Sequence, residues 1–91
     1  MRGNRLPPLT KIFIRTVTYF YVGSVVAETD DALTIRHAAW VVDTGPFTRA
    51  MATGEFAEVE LYPPDMEVGI MWNAVVDCVL WPHALPEHRT P

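Results

Sequence analysis

Hydrophobic and polar positions alternate in short blocks along the 91-residue chain, and each block ends at a turn signal. Residues 11–29, KIFIRTVTYFYVGSVVAET, are dense in β-branched and aromatic types, which is strand composition. Val17, Tyr19, Tyr21, Val25 and Ala27 fall on one face of that run, and Phe20, Val22 and Val26 fall on the other. Both faces are apolar, so one is expected to meet the core and the other a second layer or a partner. Gly23 interrupts the run, and a glycine there predicts a bulge or sharp bend. Asp30 and Asp31 form a turn into ALTIRHAAWVVD, where Leu33, Ile35 and His37 share a face opposite Thr34, Arg36 and Ala38.

After Asp43, the pattern changes from strand to helix. Pro46 suits a first helical turn, Thr44 or Gly45 can cap it, and Gly54 suits the position just past the end. A helix of about eight residues is too short to stand alone and must pack on the sheet. FAEVELY, residues 56–62, alternates again, with Phe56, Glu58 and Glu60 opposite Val59 and Leu61. Pro63, Pro64 and Asp65 make a turn. Residues 66–81 read as two strands hinged at Asn73 and Ala74, and Pro82 ends the ladder. The Pro-rich segment after it is expected to dock briefly and then fray.

Five or six short strands and one short helix predict a mainly β protein. The economical solution is a small, strongly bent antiparallel barrel of SH3-like or Sm-like type; a two-layer α+β roll is the alternative. The expected organisation is a flexible arm over residues 1–10, a single β-barrel domain over 11–86 and a flexible tail over 87–91. At this length a domain gains marginal stability from its own core, and a homo-oligomer is expected.

Charge removes one class of function. Residues 1–15 carry Arg2, Arg5, Lys11 and Arg15 and no acid, whereas residues 16–91 carry three basic residues against eleven acids, a balance of −8. Duplex nucleic acid requires a basic face, so none is expected as a partner. No run of about 18 apolar residues suggests a membrane span. The single cysteine cannot form an internal disulfide, which fits a reducing cytoplasm.

Catalytic and metal-binding patterns are weak. Cys78, His83 and His88 lack the fourth ligand and the tight spacing of structural zinc. Cys78, beside an acid in AVVDCVLW, reads as a buried, inert thiol. His37 reads as a core histidine, and Glu58 and Glu60 read as solvated. Asp77 lies in an apolar strand with Val75, Val79 and Trp81 on its face, so it should bond Arg36, Arg49 or turn amides, or line a pocket or subunit seam. With no phosphate loop, catalytic triad or paired acids, the chain reads as a non-enzyme with no cofactor.

Trp40, Phe47, Tyr62, Trp72 and Trp81 are many large aromatics for this length, and most are expected in the core. The stretch AAWVVDTGPFTRAMATG nevertheless collects the groups that a nucleotide-like ligand needs. Trp40 could stack on a base. The amides of Gly45 and Phe47, with Arg49, could meet phosphate. Thr44 could donate a hydrogen bond, and Asp43 or Asp77 could accept one from a ribose hydroxyl or hold an arginine. The same stretch carries a resemblance. A Gly-x-Val-Val strand from Gly23, Ala-Ala-Trp-Val-x-Asp-Thr-Gly over 38–45, a late Val76-Asp77 and Trp81-x-His83 are similar to a family of small phage and prophage proteins of unassigned function, across about residues 16–86. Where that pattern carries a basic residue after Thr-Gly, this chain has Pro46. The resemblance implies a host-cytoplasm setting and no established activity. By analogy with other small phage proteins, the expected function is sequestration of a nucleotide-derived immune signal, an anti-defence role, at a site between subunits. The alternative is an SH3-like protein-interaction or virion-assembly module.

Overall fold

In a computed structural model, described over residues 6–87, the strand-rich blocks form a six-stranded antiparallel sheet. The elements are β1 (Lys11–Thr16), β2 (Phe20–Glu28), β3 (Ala32–Asp43), α1 (Phe47–Thr53), β4 (Glu58–Leu61), β5 (Val68–Met71), a 3₁₀ turn at Trp72–Ala74 and β6 (Val75–Leu80). The strand order is β4-β3-β2-β1-β6, and β5 pairs with the start of β3. The sheet is bent but not closed, so the expected closed barrel is replaced by an open sheet with β6 at one end.

The predicted strand over residues 11–29 is two strands. Thr16 supplies the turn between them: its N–H donates to the Tyr19 carbonyl at 2.9 Å, and its hydroxyl oxygen accepts the Tyr19 N–H at 2.9 Å. A hydroxyl turn of this kind replaces the usual Gly, Pro or Asn, so β-rich composition hides it. The bulge expected at Gly23 is present, with the extra residue on the partner strand. Val22 pairs with Ala39 and Ser24 with Arg36, leaving His37 and Ala38 against one glycine. A Cβ on Gly23 would lie 2.9 Å from the Ile35 Cδ1 and 3.2 Å from the Arg36 carbonyl oxygen, so a side chain there would require Ile35 and the strand beside it to give way.

The sheet has an apolar core on each face. One holds Ile12, Ile14, Val25, Leu33, Ile35, Ala38 and Ile70. The other holds Phe13, Val22, Ala39, Val41, Val59 and Trp81, with Met51, Phe56 and Leu85 packed against it. The second layer anticipated from the two apolar faces is therefore α1 and the C-terminal segment of the same chain. Phe56 joins this core, stacked 5.9 Å from Phe13, instead of sharing a face with Glu58 and Glu60.

The helix starts and stops close to the predicted positions, but its start is uncapped. Pro46 holds the cap position without a side-chain bond, and Thr44 bonds the Gly45 carbonyl. Gly54 is left-handed at φ 80°, and its N–H donates to the Ala50 carbonyl at 2.8 Å. His83 closes the seam between helix and tail: its Nε2 lies 2.8 Å from the Met51 carbonyl, and its own carbonyl accepts Lys11 Nζ at 2.7 Å. Residues 6–10, expected within a flexible arm, run beside β2, with Leu9 N–H donating to Val25 O and Val25 N–H to Thr10 O, both at 2.8 Å. Residues 1–5 and 88–91 lie outside the described residues, including most of the basic arm and His88.

Phe13 is completely buried amid Phe20, Phe47, Phe56 and Trp81. Phe13→Ala should lower the unfolding free energy by about 3–5 kcal/mol, measured by urea denaturation. A loss under about 1 kcal/mol would show that this face is not a cooperative core.

Candidate functional site

The strand-to-helix corner distributes its predicted site residues over two faces. Trp40 lies opposite Tyr21 and Glu60 in the ladders, and opposite residues share a face. Tyr21 packs on the first core. Trp40 is half-buried there, with Tyr19 edge-on to it at 5.1 Å. Phe47 reaches the other face, 6.3 Å from Phe13. Asp43 accepts the Gly45 N–H at 2.8 Å, so that amide already has an internal partner. Arg49 is exposed and pairs with Glu55 at 2.8 Å.

Asp77 and Phe47 are brought together through a residue that the sequence reading left within the basic N-terminal segment. Arg15 pairs with Asp77 across the β1–β6 ladder, and its Nε donates to Asp77 Oδ1 at 2.7 Å. The guanidinium carbon also stands 5.4 Å from the Phe47 ring centre and 6.0 Å from that of Phe20. Neither anticipated arginine takes Asp77, since Arg36 pairs with Glu67 at 2.6 Å. Asp77 and Arg15 are both partly open to water, so this pair is not a buried charge. The bulge between Arg15 and Thr16 also shifts the phase of β6. Val75 packs on the first core, away from the face of Asp77 and Trp81.

The hydrogen bond from Arg15 holds the Asp77 carboxyl below its ordinary value of 3.8 and raises Arg15 in turn. A carboxyl depressed by folding contributes stability above its unfolded pKa and loses it as pH falls through the lower folded value. The exposed setting keeps that contribution small.

Two further expectations are corrected. Cys78 is exposed, because β6 is an end strand with nothing described beyond it. His37 is also exposed and holds a left-handed φ of 51°, because the bulge turns it outward and places Ala38 in the core. Among the described residues, no group of three metal-ligating side chains gathers. His83 points at the helix end instead.

A cleft of about 230 Å³ lies beside the His37 bulge, lined by His37, Ala38, Leu61, Tyr62, Pro64 and Leu85 among others. It is smaller than the usual 300–1,000 Å³ of a site that encloses a small molecule, and none of the predicted site residues lines it. The sequence signal for it was the glycine opposite the bulge, which located the bend but not the outward histidine.

A longer apolar feature runs along the sheet end. Leu80, Val79 and Val76 on β6 are 64%, 40% and 59% exposed, and Val17 and Tyr19 in the β1–β2 turn are 74% and 50% exposed. The Val17 N–H donates to the Ala74 carbonyl at 3.0 Å, which sets that turn beside the start of β6. Tyr19 then leads to Trp40. Leu80 lies across from Ile12 and Val79 across from Phe13, so these exposed residues follow the end of the sheet and point to both of its faces.

No protein-family model matches the chain, and neither curated proteins nor solved structures give a match. No helix among the described residues is long and apolar enough to cross a membrane.

Left-handed backbone costs a non-glycine residue about 1–2 kcal/mol, and glycine adds back about 0.5–1 kcal/mol of chain entropy. His37→Gly should therefore raise stability by up to about 1 kcal/mol in urea titration. A loss of stability would instead show that the imidazole makes a contact worth more than the strain.

For the ion pair, Asp77→Asn should leave stability near pH 2 almost unchanged and lower it slightly at pH 7. An equal loss at both pH values would assign the effect to packing.

Proposed function

We propose that this chain is a non-catalytic interaction module whose apolar rim meets protein. The observation that supports this reading is that Leu80, Val79, Val76, Val17 and Tyr19, all exposed and apolar, gather at one end of the sheet. Single exposed apolar side chains are ordinary, but a connected run of them marks an interaction surface. The 3₁₀ turn between β5 and β6 and the return of β6 to β1 are compatible with an SH3-like arrangement opened into a sheet. A role in virion assembly fits the phage resemblance and a host-cytoplasm setting.

A second reading keeps sequestration of a nucleotide-derived signal. Its support is the Tyr19–Trp40 pair, an aromatic edge reachable from solvent on which a base could stack. Arg49 follows Phe47 on α1, the layer that packs against the other face of the sheet from Trp40. The phosphate-binding group beside Trp40 would then come from a neighbouring subunit.

Two measurements separate these readings. Val17→Ser with Tyr19→Ser should remove a stoichiometric partner from affinity captures in the host lysate without lowering the melting temperature. Identical captures from both proteins would sink the rim as an interaction surface. In a thermal-shift screen, cyclic dinucleotides and ADP-ribose derivatives should cause no shift. A ligand at 100 times its Kd adds about 2.7 kcal/mol, or roughly 10 °C or more for a domain this size. A shift of that order, with the ligand recovered intact, would establish the sequestration reading instead.

A further inference from the structure

A second cleft, of about 210 Å³, is lined by Pro8, Leu9, Ser24, Val26, Arg36 and His37 among others. The two described non-glycine residues with left-handed backbone, Leu9 at φ 71° and His37 at φ 51°, both line it. Such backbone is costly and collects at ligand clamps and switch regions. The His37 imidazole and the Ser24 hydroxyl bond no other described residue. Two strained positions and two idle polar groups therefore converge on one small space.

The ladders account for its charge. Ser24 lies opposite Lys11 of β1 and opposite Arg36 of β3, and opposite residues share a face. One row thus sets a buried serine between a lysine and an arginine. Lys11 uses one of its three donors on the His83 carbonyl. Arg36 is less well satisfied. Its Nη2 donates to Glu67 Oε2 at 2.6 Å, while its Nε is buried with no hydrogen-bond partner among the described residues. Nε and Nη2 form one edge of the guanidinium, and a well-placed carboxylate fills both positions. Asp77 does so on Arg15, taking Nε and Nη2 together. Glu67 fills only half of the corresponding edge on Arg36.

We propose that this cleft binds a small carboxylate carrying a short apolar chain, with Arg36 as its anchor. The inference stands apart from the reading of the rim. The carboxylate takes the Nε–Nη2 edge of Arg36 as a pair, and the guanidinium turns that edge to the cleft as Glu67 leaves. The exchange costs little, because the Arg36 and Glu67 side chains are 40% and 51% exposed and an exposed ion pair contributes little. It also gives a partner to a buried donor, which is expensive to leave unmade. Ser24 donates its hydroxyl to the same carboxylate, and Lys11 adds positive charge across the row. Pro8, Leu9 and Val26 receive the chain. Phosphate has no such chain and would leave those walls uncovered. The volume is below that of a site enclosing a drug-sized molecule, so the chain has only a few carbons.

Proton–nitrogen NMR of the full chain, titrated with butyrate, tests this. Butyrate should shift the Arg36 Nε–H and the amides of Leu9, Ser24 and His37 along one saturable curve, with a Kd of about 1 mM. Butanol and inorganic phosphate should each bind at least about tenfold more weakly. Arg36→Gln should weaken butyrate binding by at least about tenfold. Glu67→Gln should tighten it by up to about fivefold, the full worth of an exposed pair. Equal binding of butanol would overturn the role of Arg36 as anchor, and equal binding of phosphate would overturn the carboxylate assignment. If Arg36→Gln fails to fold, Glu67→Gln still decides, since weaker binding there would overturn the exchange. No saturable shift up to about 100 mM butyrate, a hundred times the expected Kd, would overturn the proposal as a whole.

Discussion

The fold depends on closing the second face of one sheet over Phe13. A six-stranded sheet with alternating apolar residues on both sides cannot leave either face in water. The first face is covered by the sheet's own curvature, with Ile12, Ile14, Leu33 and Ile35 converging on Ile70. The second face has no such closure. There Phe13 stacks on Trp81 at 5.4 Å and on Phe56 at 5.9 Å, while Phe20 and Phe47 approach its edges. These aromatics come from β1, β2, α1, the segment before β4 and the segment after β6. One buried ring thus joins paired strands of the sheet to α1 and to the segment before β4.

That role explains a helix that would not form alone. α1 has seven residues, an uncapped start and no charge favouring either end, so its stability must come from packing. Its Ala50 is fully buried and its Met51 lies against the Phe13 core. Its other anchor is Gly54. A Cβ there would lie 2.5 Å from the Cβ of His83, and the backbone is left-handed. The glycine therefore ends the helix and admits the tail. Lys11 completes the connection by holding the His83 carbonyl, which ties the first strand to the segment after β6.

Much of this was legible in the sequence because it follows local rules. Pro46 and Gly54 bracket the helix, Asn73 and Ala74 mark the break between β5 and β6, and Gly23 marks the bulge. Most of the unread parts depend on a partner strand. Thr16 makes a turn inside a run whose composition says strand, because its hydroxyl takes the place of glycine. His37 fits the apolar phase of Leu33 and Ile35 until the bulge opposite Gly23 inserts one residue and turns it out. Arg15 looks like one more charge in a basic segment until the ladder sets it against Asp77. Cys78 and Asp77 read as buried because β6 is apolar, yet burial also requires a neighbour on both sides.

The same distinction bears on the candidate site. Trp40, Asp43, Phe47 and Arg49 are close in sequence, and that closeness suggested one wall of a pocket. A strand sends alternate side chains to opposite faces, and here each face has its own core. Trp40 belongs to one face, whereas the helix carrying Phe47 and Arg49 covers the other. On the interaction reading proposed above, recognition would fall to what the layers leave open: the Thr16 turn with Val17 and Tyr19, and the aromatic pair that Tyr19 makes with Trp40.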